Sequence, residues 1–263
     1  MTRSDRAVAQ ALAAAFLAGH WTVDGLRDGG REALGRRPAW LRPVVRAVLA
    51  SYHRPPLDRP RELAATIAAL PAFERAAAEA RRQGAPLRAV HVAIAPTQMV
   101  RRPWPVPRLD DLGDLCDLLS TDPEHLAWLA DPSHRQRRTP AGRRHPYRYR
   151  WQPRPGAAPR LVEAPVGRLA DHQRTLLREI LDGVPPHPAA HGFVAGRGVR
   201  TAVGPHAGAE VLICLDLVSF FASVPAGRVH GLFRAAGYPE PVAHHLTGLV
   251  TVRTPVAVVA RMP

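Results

Sequence analysis

A short apolar run that ends in a single carboxylate constrains this chain more than any other feature of its sequence. Five apolar residues occupy positions 211–215, and Asp216 follows them directly. A run of this length is too short for the core of a helix and is typical of a strand that is buried on both faces. An ionised carboxylate at the end of such a strand is costly unless a charge or hydrogen bonds stabilise it. A bound metal ion meets that need, and so does a hydrogen-bonded turn.

A β-hairpin is predicted upstream of this strand. Residues 145–151 alternate strictly, so that the aromatic side chains share one face of a strand and Arg148 and Arg150 share the other. The Pro- and Gly-containing stretch 153–159 is typical of a turn, and 160–164 supplies the second strand. The arginine face either meets water, as on an ordinary surface strand, or contacts nucleic acid.

Helices are predicted on both sides of the hairpin. Residues 1–134 are mainly helical, because apolar residues recur there at helical spacing. Residues 166–181 form an amphipathic helix that Gly183 ends, with arginines outside. Its expected core residues are Leu169, Leu176, Leu177, Ile180 and Leu181. Residues 196–198 read Gly-Arg-Gly but follow no βαβ unit, which favours a tight loop next to a substrate over a dinucleotide-binding loop.

The order of these pieces resembles that of bacterial reverse transcriptases of the retron and group II intron type, over about residues 145–262. In that family an aspartate is followed, after three residues, by two phenylalanines. The matching pieces are Asp216–Phe221 for this first catalytic motif, Arg154–Gly156 with Arg160–Pro165 for the fingers hairpin, Leu169–Leu181 with Gln173 for the next helix, His191–Val199 for the Gly-Phe segment, and His206 before the catalytic strand.

The resemblance implies an α+β fold, in which a helical N-terminal region precedes the fingers and an incomplete palm of a right-hand polymerase. The implied domains are 1–134, mainly helical; 135–205, the fingers-like region with hairpin and helix; and 206–263, the first part of the palm with the first catalytic motif. The implied activity is RNA-directed DNA synthesis, in which two metal ions assist the transfer of deoxynucleotides.

The resemblance also implies roles for individual residues. Asp216 would bridge two Mg²⁺ ions, with the backbone carbonyl of Leu217 as a further ligand. Arg160 and Arg154 would contact the phosphates of the incoming deoxynucleoside triphosphate, although Arg154 stands where the family usually has lysine. Phe221 would lie beside the nucleotide sugar and block a 2′ hydroxyl. Its neighbour Phe220 would point the opposite way, into the core.

Positive charge is concentrated in the region of these motifs. The chain has a formal net charge of +14 and no lysine, which indicates a compositional bias as well as a polyanionic partner. Between positions 135 and 178, twelve arginines stand against two acidic residues. This is either a solvated basic linker or a surface for template, primer or incoming triphosphate. The resemblance implies an RNA template, a DNA primer and product, and a structured non-coding RNA as partners. The arginines assigned to nucleic acid are Arg148, Arg150, Arg168 and Arg197.

One departure from the family pattern concerns the remaining catalytic motifs. The chain reaches Pro263 about where the Pro-Gln-Gly motif of the family begins, and no adjacent aspartates follow Asp216. One carboxylate does not hold two magnesium ions. We therefore expect these 263 residues alone to lack polymerase activity. The alternatives are a non-catalytic nucleic-acid-binding protein derived from a reverse transcriptase, and a primase-like or template-independent polymerase of the same fold.

The expected location is the cytoplasm. The two cysteines, Cys116 and Cys214, are far apart in the sequence, form no metal-binding pattern and fit a reducing compartment. Cys214 lies within the apolar run and is expected to be buried. No stretch reaches the length of a membrane span, so no membrane partner is expected. The retron resemblance also implies a role in defence against phage.

Overall fold

The computed structural model describes residues 2–139, 142 and 145–262, which are mainly helical with a single two-stranded sheet. The helices are α1 (Arg3–Ala18), α2 (Val23–Leu34), α3 (Leu41–Ser51), α4 (Pro60–Ala69), α5 (Pro71–Arg82), α6 (Leu112–Leu119), α7 (Pro123–Ala130), α8 (Arg168–Glu179), α9 (Val199–Val203), α10 (Phe220–Ser223), α11 (Ala226–Ala235), α12 (Glu240–Val250) and α13 (Val256–Val259). The strands are β1 (Tyr147–Arg154) and β2 (Ala157–Pro165). The α+β class is confirmed, whereas the right-hand polymerase architecture stays a prediction.

The chain divides into two compact units. The first comprises Met1–Arg101, Arg108–Leu126 and Gly237–His244, and the second comprises Arg102–Pro107, Ala127–Ala236 and His245–Pro263. The domain boundaries expected from the sequence, at 134/135 and 205/206, stay predictions. No helix within the described residues combines the length and the apolar character that crossing a bilayer requires.

Helix α1 is central to the core of the first unit because its apolar residues recur at helical spacing. Val8, Leu12 and Phe16 are at most 1% exposed, and α1 packs against α2 and α4. From α4, Leu63 and Ile67 are fully buried in the same core. The helical character predicted for this region from its apolar periodicity is therefore confirmed.

The first turn of α1 is held by reciprocal hydrogen bonds. The Thr2 hydroxyl accepts from the Asp5 backbone N–H at 3.2 Å, and the Asp5 carboxylate accepts from the Thr2 N–H at 2.9 Å. Arg81, in the last turn of α5, forms an ion pair with the same carboxylate. Asp5 is almost completely buried, so this pair ties the start of α1 to the end of α5.

The hairpin predicted from the sequence is confirmed and is longer than expected. β1 and β2 are antiparallel, and the pairing continues to Arg154 opposite Ala157. Only Pro155 and Gly156 form the turn. Gly156 has a φ of +68°, which a glycine adopts without strain and which resembles the third position of a type II turn after proline.

Helix α8 begins two residues later than predicted and continues into a 3-10 turn, Leu181–Gly183. Leu169, Leu176 and Ile180 are at most 1% exposed, as expected. Leu177 is 51% exposed, so its assignment to the core is wrong. The buried positions follow steps of seven and four residues along one helical face, and Leu177 lies about 100° around the helix from Leu176.

The buried strand predicted over residues 211–215 is wrong. Residues 211–217 have no regular secondary structure, and their apolar side chains Val211, Leu212, Ile213, Leu215 and Leu217 are 63–91% exposed. Cys214 is exposed as well. A strand buried on both faces needs neighbouring strands to pair its backbone. Within the described residues β1 and β2 pair only with each other, so this segment has no strand beside it.

After this segment and the short helix α10, the chain continues into the longer helices α11 and α12. Pro225 precedes α11, and Gly237, with a φ of +102°, ends the turn after it. In the second unit, Gly248 of α12 lies against the backbone of Ala130. A Cβ atom at Gly248 would stand 1.9 Å from the Ala130 carbonyl oxygen, so any side chain there forces the two segments apart.

This close approach gives a stability prediction with a matched control. Gly248→Ala should lower the free energy of unfolding by about 1–3 kcal/mol, because overpacking a tight contact shifts the backbone. Gly231→Ala, in α11, should raise it by roughly 0.5–1 kcal/mol, because a Cβ atom there would meet no atom within 4 Å outside the local helix backbone, and alanine favours the helix. Urea unfolding followed by circular dichroism measures both. A neutral Gly248→Ala would contradict the described contact.

Candidate nucleotide-binding and nucleic-acid-binding surface

The register of the hairpin separates its side chains into two faces. Residues directly opposite in an antiparallel pair point to the same side of the sheet. The outer face carries Arg148 opposite Ala164, Arg150 opposite Val162, and Gln152 opposite Arg160. The other face carries Tyr147, Tyr149 and Trp151 with Leu161, Glu163 and Pro165. The aromatic side chains are buried or half-buried and the arginines are exposed, which confirms the alternation predicted from the sequence.

Polar contacts fix the aromatic face to α8 and to the segment after α12. Gln173 of α8 donates from Nε2 to the Tyr147 hydroxyl at 3.3 Å and to the Leu249 carbonyl at 2.8 Å. The Trp151 indole donates to the Val258 carbonyl at 3.2 Å. A third contact joins the Thr254 hydroxyl to the Glu163 carboxylate at 2.7 Å. The hairpin is therefore held from its aromatic side, and its arginine side is left facing water.

The two tyrosines of this face act as structural groups. Burial raises the pKa of Tyr147, and the hydrogen bond from Gln173 offsets only part of that increase. Burial also raises the pKa of Tyr149, and the nearby Glu163 carboxylate raises it further. Both phenols therefore keep their protons at neutral pH and serve as neutral packing and hydrogen-bonding groups.

Arg150, Arg154 and Arg160 are available for a ligand. All three are exposed, and the described residues give their guanidinium groups no hydrogen bond or ion pair. Arg150 and Arg160 share the outer face, and Arg154 lies at the end of β1, beyond the irregular pairing that follows Gln152. A group of exposed guanidinium groups on one side of a short hairpin is suited to binding phosphate oxygens.

Arg168 occupies a different position, as the first residue of α8. It is exposed and has no polar partner within the described part of the chain. A cation in the first turn of a helix opposes the helix dipole, so the helix itself gains nothing from this charge. An anionic ligand at this point would compensate for the unfavourable placement.

Arg148 and Arg197 have structural partners that the sequence did not reveal. Arg148 donates from Nη1 to the carbonyls of Gly142 and His145, both at 3.1 Å. Arg197 donates from Nη1 to the carbonyls of His187, Pro188 and Ala190, at 2.9, 3.0 and 2.5 Å. Both guanidinium groups thus organise the loops that precede them. Two further arginines of the stretch 135–178, at positions 143 and 144, lie outside the described residues.

Asp216 is exposed and makes no hydrogen bond or ion pair within the described residues. No direct polar contact therefore joins it to Arg160. The described residues also contain no group of three His, Cys, Asp or Glu side chains that could hold a metal ion. Asp216 and the Leu217 carbonyl supply oxygen atoms of the kind that Mg²⁺ prefers, but two oxygens do not complete a site for two ions.

The phenylalanines of the first motif lie in a short helix instead of an extended segment. Ser219 has a φ of +52°, and α10 begins at Phe220. Phe220 is 49% exposed and Phe221 is 74% exposed, so the assignment of Phe220 to the core is wrong. Phe193, from the Gly-Phe segment, packs edge-on against Phe221 with ring centres 6.1 Å apart. The structure thus brings together two motifs that are 28 positions apart in the sequence.

Comparison with known proteins confirms the resemblance to retron reverse transcriptases. The chain is 44% identical over 99 residues to the Retron Mx65 reverse transcriptase and 39% identical over 99 residues to the Retron Mx162 reverse transcriptase, both from Myxococcus xanthus. It is 33% identical over 88 residues to the Retron Ec86 reverse transcriptase from Escherichia coli. These matches cover 38%, 38% and 34% of this chain. No family model matches.

The chain spans a small part of these relatives. The matched region is 23% of the Mx65 protein, 20% of the Mx162 protein and 28% of the Ec86 protein. The similarity therefore supports a common origin for about one hundred residues, and it leaves the activity of the whole protein to be tested.

The anchoring of the hairpin gives a second stability prediction. Gln173→Leu should lower the free energy of unfolding by about 1–3 kcal/mol, because the buried Leu249 carbonyl and the Tyr147 hydroxyl each lose a donor. Gln152→Leu is the control, since this glutamine is exposed on the outer face, and it should change the value by less than about 0.5 kcal/mol. Equal effects of the two substitutions in urea unfolding would contradict the described anchoring.

Proposed function

We propose that this chain is part of a retron-type reverse transcriptase, an enzyme that copies an RNA template into DNA. The observation that carries this proposal is the 33–44% identity to three retron reverse transcriptases. The exposed arginines of the hairpin provide independent support, because a polymerase must bind the phosphates of its template, primer and nucleotide substrate.

The hairpin contributes the phosphate-binding groups. Arg150, Arg154 and Arg160 bind phosphate oxygens of nucleic acid or of an incoming deoxynucleoside triphosphate through paired N–H donors. Arg168 adds a cation at the start of α8. Arg148 and Arg197 act indirectly, because their guanidinium groups already bind backbone carbonyls and so shape the loops beside this surface.

Asp216 is assigned as a ligand of Mg²⁺, with the carbonyl of Leu217 beside it. In the complete site, magnesium held by Asp216 and further carboxylates would stabilise the charge that develops on the transferred phosphate and on the leaving pyrophosphate. The remaining carboxylates of that site are not among the groups that the described residues bring together. The 263 residues by themselves are accordingly expected to bind nucleic acid without extending a primer.

Residues 211–215 form a strand when further strands of a palm domain lie beside them. The support for this step is that all five apolar residues at positions 211–215 are exposed, since exposed apolar segments commonly mark a surface that another element covers. Phe221, which packs against Phe193, is proposed to exclude nucleotides that carry a 2′ hydroxyl. A structured RNA is the proposed natural partner.

The first test of this function is RNA binding by the chain itself. Arg150→Ala and Arg160→Ala should each weaken binding of single-stranded RNA, and each should reduce the slope of log affinity against log salt by about 0.7 for every phosphate contact that is lost. Arg46→Ala removes the same charge from an exposed position in the first unit and is the control. Fluorescence anisotropy at several salt concentrations gives the slopes. Three identical losses would mean that only the total charge matters.

The second test uses a form of the protein that extends a primer on an RNA template. Asp216→Asn should reduce DNA synthesis to background while RNA affinity changes little, because the carboxylate is assigned to metal binding alone. In the same assay Phe221→Ala should raise ribonucleotide incorporation by about tenfold or more, as expected when steric exclusion is removed. Synthesis that survives Asp216→Asn would remove this residue from the catalytic site, and RNA binding without synthesis in every form would favour a non-catalytic protein.

A further inference from the structure

A cavity of about 260 Å³ lies in the first unit, where the start of α1 meets α4 and α5. Its polar lining consists of Asp5, Glu74 and Arg81, and its apolar lining includes Ala68, Phe73 and Ala78. All of these residues belong to the first unit, whereas the outer face of the hairpin belongs to the second unit. The cavity therefore requires an explanation of its own.

Asp5 is the most informative residue of this cavity. It is 1% exposed, and its Oδ2 atom binds the Thr2 N–H and the Arg81 guanidinium group. Its Oδ1 atom is buried and has no hydrogen-bond donor within the described residues. Burial raises the pKa of Asp5, but the hydrogen bonds from Thr2 and the charge of Arg81 outweigh burial and leave the pKa below its ordinary value. The carboxylate is therefore ionised at neutral pH with one oxygen uncompensated.

The charges around the cavity do not balance. Asp5 and Glu74 carry two negative charges against the one positive charge of Arg81. Glu74 is exposed, and its carboxylate has no hydrogen bond or ion pair in the part of the chain that the structure describes. A monocation would neutralise the site, whereas a phosphate would meet two carboxylates. The cavity thus favours a cation, whereas the outer face of the hairpin favours an anion.

Size and apolar lining restrict the ligand further. Pockets for drug-sized ligands commonly have volumes of roughly 300–1,000 Å³, and this cavity is somewhat smaller. A nucleoside triphosphate carries negative charges that the carboxylates of Asp5 and Glu74 would repel. Phe73 and the alanines offer apolar surface for a short hydrocarbon stem. Because Oδ1 is covered, a donor reaches it only when neighbouring side chains move.

We propose that this cavity binds a small organic cation, an ammonium or guanidinium group on a short apolar stem, with the charged group between Asp5 and Glu74 and the stem against Phe73 and Ala78. The natural source is either a free amine or an arginine or lysine side chain of a partner protein. Both present the same chemistry to the cavity. The inference concerns the first unit alone and does not depend on the polymerase assignment.

The test compares three probes of similar shape and different charge on the unmodified chain. Benzylammonium should bind with a dissociation constant on the order of millimolar, as expected for a ligand of this size. Benzyl alcohol should bind about tenfold more weakly, and benzoate should not bind. Saturation-transfer NMR and chemical-shift titration measure these affinities. Equal binding of benzylammonium and benzyl alcohol, or no binding of benzylammonium, would overturn the proposal.

Variants locate the binding at this cavity. Ala78→Leu fills the cavity and should weaken benzylammonium binding by about tenfold or more, whereas Ala76→Leu, on the same helix but outside the cavity lining, should leave it unchanged. Glu74→Gln changes one exposed carboxylate, keeps the fold and should weaken binding severalfold. Undiminished binding in a folded Ala78→Leu or in Glu74→Gln would contradict the assignment. Should Ala78→Leu fail to fold, the Glu74→Gln result decides.

A further comparison distinguishes the two natural sources. Propylguanidine represents a free guanidinium compound with one positive charge, and N-acetyl-arginine methylamide represents an arginine side chain within a protein. If the blocked arginine binds at least as well as propylguanidine, a partner side chain is the source. If the blocked arginine binds more weakly or not at all, the source is a free cation, and if neither competes with benzylammonium, the proposal is wrong.

Discussion

The alternation of side chains along β1 is the constraint on which the candidate surface depends. Because neighbouring residues of a strand point to opposite sides, one short sequence of alternating aromatic and basic residues produces both an anchor and a binding face. Gln173, Thr254 and the Val258 carbonyl hold the anchor side through hydrogen bonds. Arg150 and Arg160 are exposed as a consequence of that anchoring, and a shift of one residue in register would exchange the two faces.

Patterns that depend on local geometry could be predicted from the sequence, and patterns that depend on distant partners could not. The hairpin, the helix after it and the apolar face of α1 follow from periodicity within a few turns or residues. The strand before Asp216 was predicted wrongly, because strand formation requires neighbouring strands that the described residues do not supply. The carbonyl contacts of Arg197 were also missed, since an arginine that binds backbone oxygen has the same sequence signature as one that binds phosphate.

One part of the candidate site therefore has regular secondary structure, and the other part does not. The arginine face is assembled and exposed, while Asp216 lies in an irregular, exposed segment without polar partners in the described structure. The proposed polymerase, in which the hairpin binds phosphates and further strands lie beside residues 211–215, accounts for both observations. The same account explains why the apolar residues before Asp216 are exposed here although their composition is typical of a protein interior.

Arginine footprinting tests most directly the claim that the outer face of the hairpin is the phosphate-binding surface. The free chain is treated briefly with phenylglyoxal, with and without single-stranded RNA, and modification is quantified at each arginine by mass spectrometry. If this side of the hairpin binds phosphate, phenylglyoxal should modify Arg150, Arg154 and Arg160 rapidly in the free chain, and RNA should strongly protect all three while leaving Arg46 unaffected. RNA that binds the chain and leaves these three arginines fully reactive would contradict phosphate binding by the hairpin.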